Sequence, residues 1–222
     1  MFFVDETGHE NLSDPNYEVF GFGGCVITAS AVEEHLKAPW RYLKAAHFDG
    51  PDAPLHAADL HNPTSSQLEA LGNFFRNQKF GRFAATVTSK TLLPSGMTPY
   101  EVLPAALRGR WAELASRVQP AAVEVALLHE ASQRGDALVE RYFGPSFFQV
   151  SGKPIKVHHG LVPKSALEGL EVADFIAQAA GRQAWHKAKG NSGFRKDFRS
   201  IFHANPLWSS SIDISSVTVN DE

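Results

Sequence analysis

The sequence predicts a mixed α/β fold, organised as a single domain over residues 1–222. Short β-branched and aromatic runs of strand length alternate with longer stretches of helical period. The first run, Met1-Phe2-Phe3-Val4, is unbroken and apolar, as in a central strand covered on both faces, and it ends on Asp5-Glu6 before the turn signal Thr7-Gly8. No repeat or linker divides the chain.

Composition narrows the class. A formal net charge of −3 excludes a globally basic nucleic-acid coat and leaves room for a local basic patch. The one cysteine, Cys25, excludes a disulfide framework and a cysteine zinc site within the chain, and suits a reducing compartment. The first residues lack the basic region and long apolar core of a signal peptide, and no apolar run approaches a membrane span. The expectation is a soluble, cytoplasmic protein with no membrane partner.

Along the chain, Tyr17 to Thr28 (YEVFGFGGCVIT) reads as a second strand in a hairpin with the first. Its Gly21-Phe22-Gly23-Gly24 fits neither a dinucleotide fingerprint nor a phosphate loop, so close packing explains the glycines. Helices are inserted before the third strand: one over Ala31 to Ala46 with Val32, Leu36 and Leu43, and one behind the cap Thr64 with Leu68, Leu71, Phe74 and Phe75. Between them lies an irregular segment containing Leu55-His56-Ala57-Ala58-Asp59-Leu60-His61. Phe83 to Ser89 is the third strand, Tyr100 to Val118 a long amphipathic helix, Ala121 to Leu128 a fourth strand ending on His129-Glu130, and Ile155 to His159 a short fifth. Ser165-Ala166-Leu167-Glu168 matches a capping box opening a helix towards Trp185. Ile212 to Val219 alternates like an edge strand.

Three acids share a description. Asp5 ends strand one, Glu130 ends strand four, and Asp174 sits among Val172, Ala173, Phe175 and Ile176, a costly place for a charge without a purpose. If strands one and four are parallel neighbours, both acids leave at one sheet edge, and the last long helix can bring Asp174 across. Clustered carboxylates repel unless a cation neutralises them, and an all-oxygen donor set points to Mg²⁺ or Mn²⁺. Such sites cleave phosphodiesters, so Asp5, Glu130 and Asp174 are the expected metal ligands and catalytic residues. A solvated strand end remains the other reading of Glu130.

Two of these stretches carry a resemblance. Phe3-Val4-Asp5-Glu6-Thr7-Gly8 resembles an "F-x-D-E-S-G" opening, and Leu170-Glu171-Val172-Ala173-Asp174-Phe175-Ile176-Ala177 an "L-Q-x-A-D-x-I-A" helix. Both are marks of the bacterial domain-of-unknown-function family 3800, of the ribonuclease H-like superfamily. Leu55-His56-Ala57-Ala58-Asp59-Leu60 is similar to that family's middle element, and Lys164-Ser165 to its lead-in. The resemblance implies a ribonuclease H-like five-stranded mixed sheet, the first three strands antiparallel and the last two parallel to the first. It also implies an acidic metal site matching Asp5, Glu130 and Asp174. Thr7, Glu171 and Pro54 stand where the pattern has Ser, Gln and a carboxylate, and Glu130 where related folds have Asp.

Supporting residues are weighed around that site. His56, His61 and Asp59 read either as ligands or proton carriers, or as a polar loop with a helix cap. Glu171, one helical turn from Asp174, reads as an added ligand or as exposed polarity. Glu6 leaves its strand on the face opposite Asp5 and reads as a supporting acceptor. Lys164 and Arg182, which opens a basic run to Arg199, are the expected contacts to substrate phosphate. The implied activity is metal-dependent cleavage of RNA or DNA. The alternative is a non-catalytic module of the same fold that binds nucleic acid or a protein partner.

Overall fold

The computed structural model describes residues 1–121, 124–131, 136–143, 149–150, 153–163, 166–204 and 209–213. Strand β1 (Phe2–Gly8) pairs antiparallel with β2 (Val19–Val26), setting Phe2 against Val26 and Asp5 against Gly23. The chain then forms a short 3-10 turn (Ala29–Ala31), a π-turn (Glu33–Lys37) and helix α1 (Ala38–His47). One continuous helix is the expectation here. The run is helical without interruption from Ala29 to His47 and widens over Glu33–Lys37, just before Pro39, which has no N–H to donate and whose ring crowds the carbonyl four residues back.

A second 3-10 turn (Ala57–Asp59) precedes α2 (Ser65–Asn77). Thr64 caps α2 as expected: its hydroxyl accepts from the Gln67 N–H at 3.2 Å while the Gln67 side chain accepts from the Thr64 N–H at 2.8 Å. Next come β3 (Gly81–Thr88), α3 (Pro99–Val118), β4 (Glu124–Glu130) and α4 (Asp136–Phe143). Two-residue strands β5 (Gln149–Val150) and β6 (Lys153–Pro154) pair only with each other, before β7 (Lys156–Val162), α5 (Glu168–Ala188), α6 (Lys196–Ile201) and β8 (Ser209–Asp213).

The main sheet has six strands in the order β7-β4-β1-β2-β3-β8. β2 runs antiparallel to both β1 and β3, while β4 runs parallel to β1 and β7 parallel to β4, the directions the resemblance implies. The sixth strand, beyond the five the resemblance implies, lies at the sheet edge and overlaps the first two residues of the edge strand expected at Ile212 to Val219. β8 lies parallel to β3 through Ser209-Ser210-Ser211, a polar run without a strand pattern that joins the edge by backbone pairing. The rest of the expected strand, residues 214–219, lies outside the described residues.

The start of α5 is a correction. Its N-cap is Leu167, and Glu168 is already helical, with its carboxylate 3.4 Å from Arg41 Nη1. Ser165 lies outside the described residues.

Alternation along the strands fills two cores. Phe3 packs with α1, α2, α5 and α6, whereas Phe2 and Val4 pack with α3 and α4 on the other face. Small residues let α5 lie directly on the sheet. Gly169 rests on Phe3, Ala177 on Gly23 and Gly181 on Thr7; a Cβ added at Gly23 would meet the Ala177 backbone at 2.6 Å. Among the described residues, no helix is long and apolar enough to cross a membrane.

Candidate functional site

Strand alternation decides which acids meet. Asp5 stands between Phe3 and Thr7, both touched by α5, so its side chain leaves on the α5 face. On β4, Leu128 packs into that same core and Leu127 into the opposite one, so Glu130 also leaves towards α5. The parallel register sets Phe2 beside Leu127, Phe3 beside Leu128 and Val4 beside His129. The ladder ends at Val4 and His129, one residue before Asp5 and Glu130, which leave their strands on the same face.

Helix α5 carries Asp174 to the same level. Taking ~1.5 Å per helical and ~3.3 Å per strand residue, Asp174 lies about 7.5 Å past Gly169, and Asp5 about 6.6 Å past Phe3 beneath it. Both acids are buried, Asp5 at 6% and Asp174 at 8% exposure. Backbone N–H groups fix each: Asp5 Oδ1 accepts from Glu6 at 2.7 Å, and Asp174 Oδ2 from Ala57 at 3.0 Å. The second bond draws in the His56–Asp59 segment, with His56 Nδ1 at 3.8 Å from Asp174 Oδ2. His56 therefore joins the site. Asp59, exposed on its 3-10 turn, makes no such contact with Asp174.

Glu171 is corrected. It shares the helix face of Asp174, but its carboxylate is consumed by a buried network: Lys44 Nζ lies at 2.9 Å from Oε2, and the Trp40 indole and Leu55 N–H donate at 2.5 and 3.2 Å. Lys44 also donates to the Ala53 carbonyl at 2.8 Å. With these partners Glu171 anchors the segment that leads to His56 instead of facing a ligand. Glu6 points to the other side of the sheet, where it accepts from the Tyr100 hydroxyl at 2.8 Å, a structural role. Arg182 stands two helical turns beyond Asp174, 3.9 Å from Asp197 Oδ2. Lys164 lies outside the described residues.

Trp40 and Lys44 escape a reading by motif. The available signal is a lysine in line with Leu36, Trp40 and Leu43, on the stripe that α1 buries. A second pair is also unforeseen. His129, 2% exposed, has Nδ1 at 2.9 Å from His159 Nε2, and its ring packs on Phe22 and Phe143. Burial, then the neighbouring His159, hold the His129 pKa well below the usual imidazole value; burial also lowers that of His159. His158 faces outward to Glu124 at 2.7 Å. Cys25 is enclosed, and burial pushes its thiol up to about 12, an inert state.

Hard oxygen donors on a shared face suit Mg²⁺ or Mn²⁺ in chemistry. Among the described residues, no three acids or histidines already converge as a ready cage. Asp5, Glu130 and Asp174 fit such an ion by donor type and by face. No protein-family model and no curated protein matches the sequence.

Proposed function

We propose that Asp5, Glu130 and Asp174 form the site of a Mg²⁺- or Mn²⁺-dependent phosphodiesterase, a nuclease of ribonuclease H-like fold acting on RNA or DNA. On the motifs quoted above, we take the chain to be similar to the domain-of-unknown-function family 3800. The observation that carries this reading is the register of β1 on β4, which sets two carboxylates on one face beneath the helix that bears the third. The mixed sheet, with β2 antiparallel to β1 and β3 and with β4 and β7 parallel to β1, has the strand directions that the resemblance implies.

A divalent ion bound by these acids supplies Lewis-acid stabilisation of a phosphoryl oxygen. The chain's own residues orient and exclude. Asp5 is held by the Glu6 N–H and shielded by α5, so it enters the site pre-positioned. Asp174 is steered by the Ala57 N–H, and His56 beside it is the candidate proton carrier for the leaving oxygen. Lys44 and Glu171 keep the His56 segment in place from behind.

The test is cleavage of labelled single-stranded and duplex oligonucleotides with and without Mg²⁺ or Mn²⁺, comparing the parent chain with Asp5→Asn. Metal-dependent cleavage that disappears in the variant supports the reading, and equal activity in both removes Asp5 from it. A second reading is a non-catalytic module of the same fold that binds nucleic acid or a protein partner. Its support is the lack, among the described residues, of a closed three-ligand group. Calorimetric titration with Mn²⁺ separates the two, because only the first needs an ion bound.

A further inference from the structure

A groove with a cavity volume of about 680 Å³ lies between α2, α5 and α6, and one end of it is Ala57, the residue whose N–H is bound by Asp174. One wall is cationic, formed by Arg182 from α5 and by Arg195 and Lys196 at the start of α6. Its lining also includes the apolar side chains of Leu60, Pro63 and Leu68, the last 54% exposed.

The wall is organised by two side chains. Asp197 holds both arginines, with Arg195 Nε at 3.1 Å from Oδ1 and Arg182 Nη1 at 3.9 Å from Oδ2. Gln183, only 3% exposed, accepts from the Arg195 N–H at 2.8 Å and donates to the Gly193 carbonyl at 3.0 Å, which pins the basic loop onto α5. Each guanidinium has five N–H donors, so a single shared carboxylate leaves most of its donor capacity for another oxyanion. Cations outnumber the acids lining the groove, Glu69 and Asp197. Forked cations and apolar side chains lining one groove suit a ligand that carries a phosphate and a flat, weakly polar ring on the same unit.

We infer that this groove binds one nucleotide unit of the nucleic-acid substrate, its phosphate on Arg182, Arg195 and Lys196 and its base over Leu60, Pro63 and Leu68. The identity of the ligand rests on the nuclease reading; the groove and its chemistry do not. Arg182 stands eight residues beyond Asp174, about 12 Å at ~1.5 Å per helical residue. The phosphate held here is therefore a neighbour of the one cleaved. Groove residues act on KM and leave kcat alone, and substrates too short to reach from the acids to the wall bind poorly.

The experiment uses the full chain carrying Asp5→Asn, in EDTA, with a fluorescein-labelled single-stranded oligonucleotide read by anisotropy. Adding Arg182→Gln, Arg195→Gln and Lys196→Gln should weaken binding about tenfold or more and flatten its dependence on salt, since released counterions scale with the phosphates neutralised. Leu68→Glu, on an exposed side chain, should also weaken binding with an unchanged thermal melt, and it guards against a fold effect of the triple variant. A mononucleotide should compete better than inorganic phosphate, because only the former reaches the apolar side chains. Absent binding, or binding that neither variant alters, overturns the inference. Binding that behaves as stated in a chain that never cleaves any oligonucleotide leaves the groove standing and overturns the nuclease reading instead.

Discussion

The two faces of the sheet receive alternate residues of the same strands and use them differently. Towards α3 and α4, β1 sends Phe2 and Val4 into an aromatic core in which Phe2 and Phe83 pack on Trp111 with ring centroids 5.5 and 5.3 Å away. Polar groups on that face include two side-chain pairs, Glu6 with Tyr100 and His129 with His159. Towards α5, the same strand sends Asp5, β4 sends Glu130, and the helix itself buries Asp174 and Glu171. One carboxylate there is neutralised by a buried lysine, and the others gather at the strand ends. A charge is kept out of water only when something compensates it. The α5 face thus buries Asp5, Glu171 and Asp174, with Lys44 and Arg82, where the other face is lined chiefly by aromatic rings.

The largest expected effect contrasts one residue from each face. Asp5→Asn should cut metal-dependent cleavage by about three orders of magnitude or more while leaving the melting temperature near that of the parent, as expected for loss of a ligand that acts in the transition state. Trp111→Ala should do the reverse, lowering unfolding free energy by about 3–5 kcal/mol in denaturant titration with turnover per folded molecule preserved. Similar stability losses in both would erase the distinction between the faces.

Next is the buried pair on the α5 side. Lys44→Met strands the Glu171 carboxylate and should cost about 3–5 kcal/mol, most of which returns in the double variant Lys44→Met/Glu171→Gln. If Lys44→Met is neutral, Glu171 does not depend on Lys44 and returns as a candidate ligand.

A smaller effect belongs to the histidine pair and depends on pH. His129 and His159 have folded pKa values below the ordinary 6.5. Below that pH the unfolded chain takes up protons that the folded chain refuses, so stability falls as the pH drops through 6.5 and levels off only below the folded values. Above 6.5 both states are neutral there and the pair contributes no slope. Denaturant titrations across this range should show the decline, and His129→Phe should flatten it. The smallest effect is expected at Glu6, where Glu6→Gln still accepts from Tyr100 and should change stability by no more than about 0.5 kcal/mol and cleavage not at all.

How far the sequence carries depends on the range of each interaction. Asp5 and Glu130 are legible because strand ends and two-residue alternation are local, and the pairing of β1 with β4 follows from few assumptions. Asp174 stands out because apolar neighbours surround it. Glu171, one turn away, looks the same by that criterion, yet its fate is settled by Lys44, 127 positions distant in sequence. No periodicity encodes that partner. The glycines of β2 read correctly as close-packing sites, although only the fold identifies α5 as what approaches Gly23. The polar run of β8 carries no strand pattern, and Pro39 alters the helix before it through a backbone clash that a hydrophobic stripe does not register. His129 sits beside Glu130 in sequence but on the other face, so its histidine partner appears only once β7 is placed against β4.

The most direct test is a crystal of the parent chain soaked in Mn²⁺ and measured for anomalous scattering. The account predicts a peak enclosed by the carboxylates of Asp5, Glu130 and Asp174, lost in Asp5→Asn crystals treated alike. A peak at His56 and His61 with none at the three acids, or no peak at saturating Mn²⁺, would contradict it.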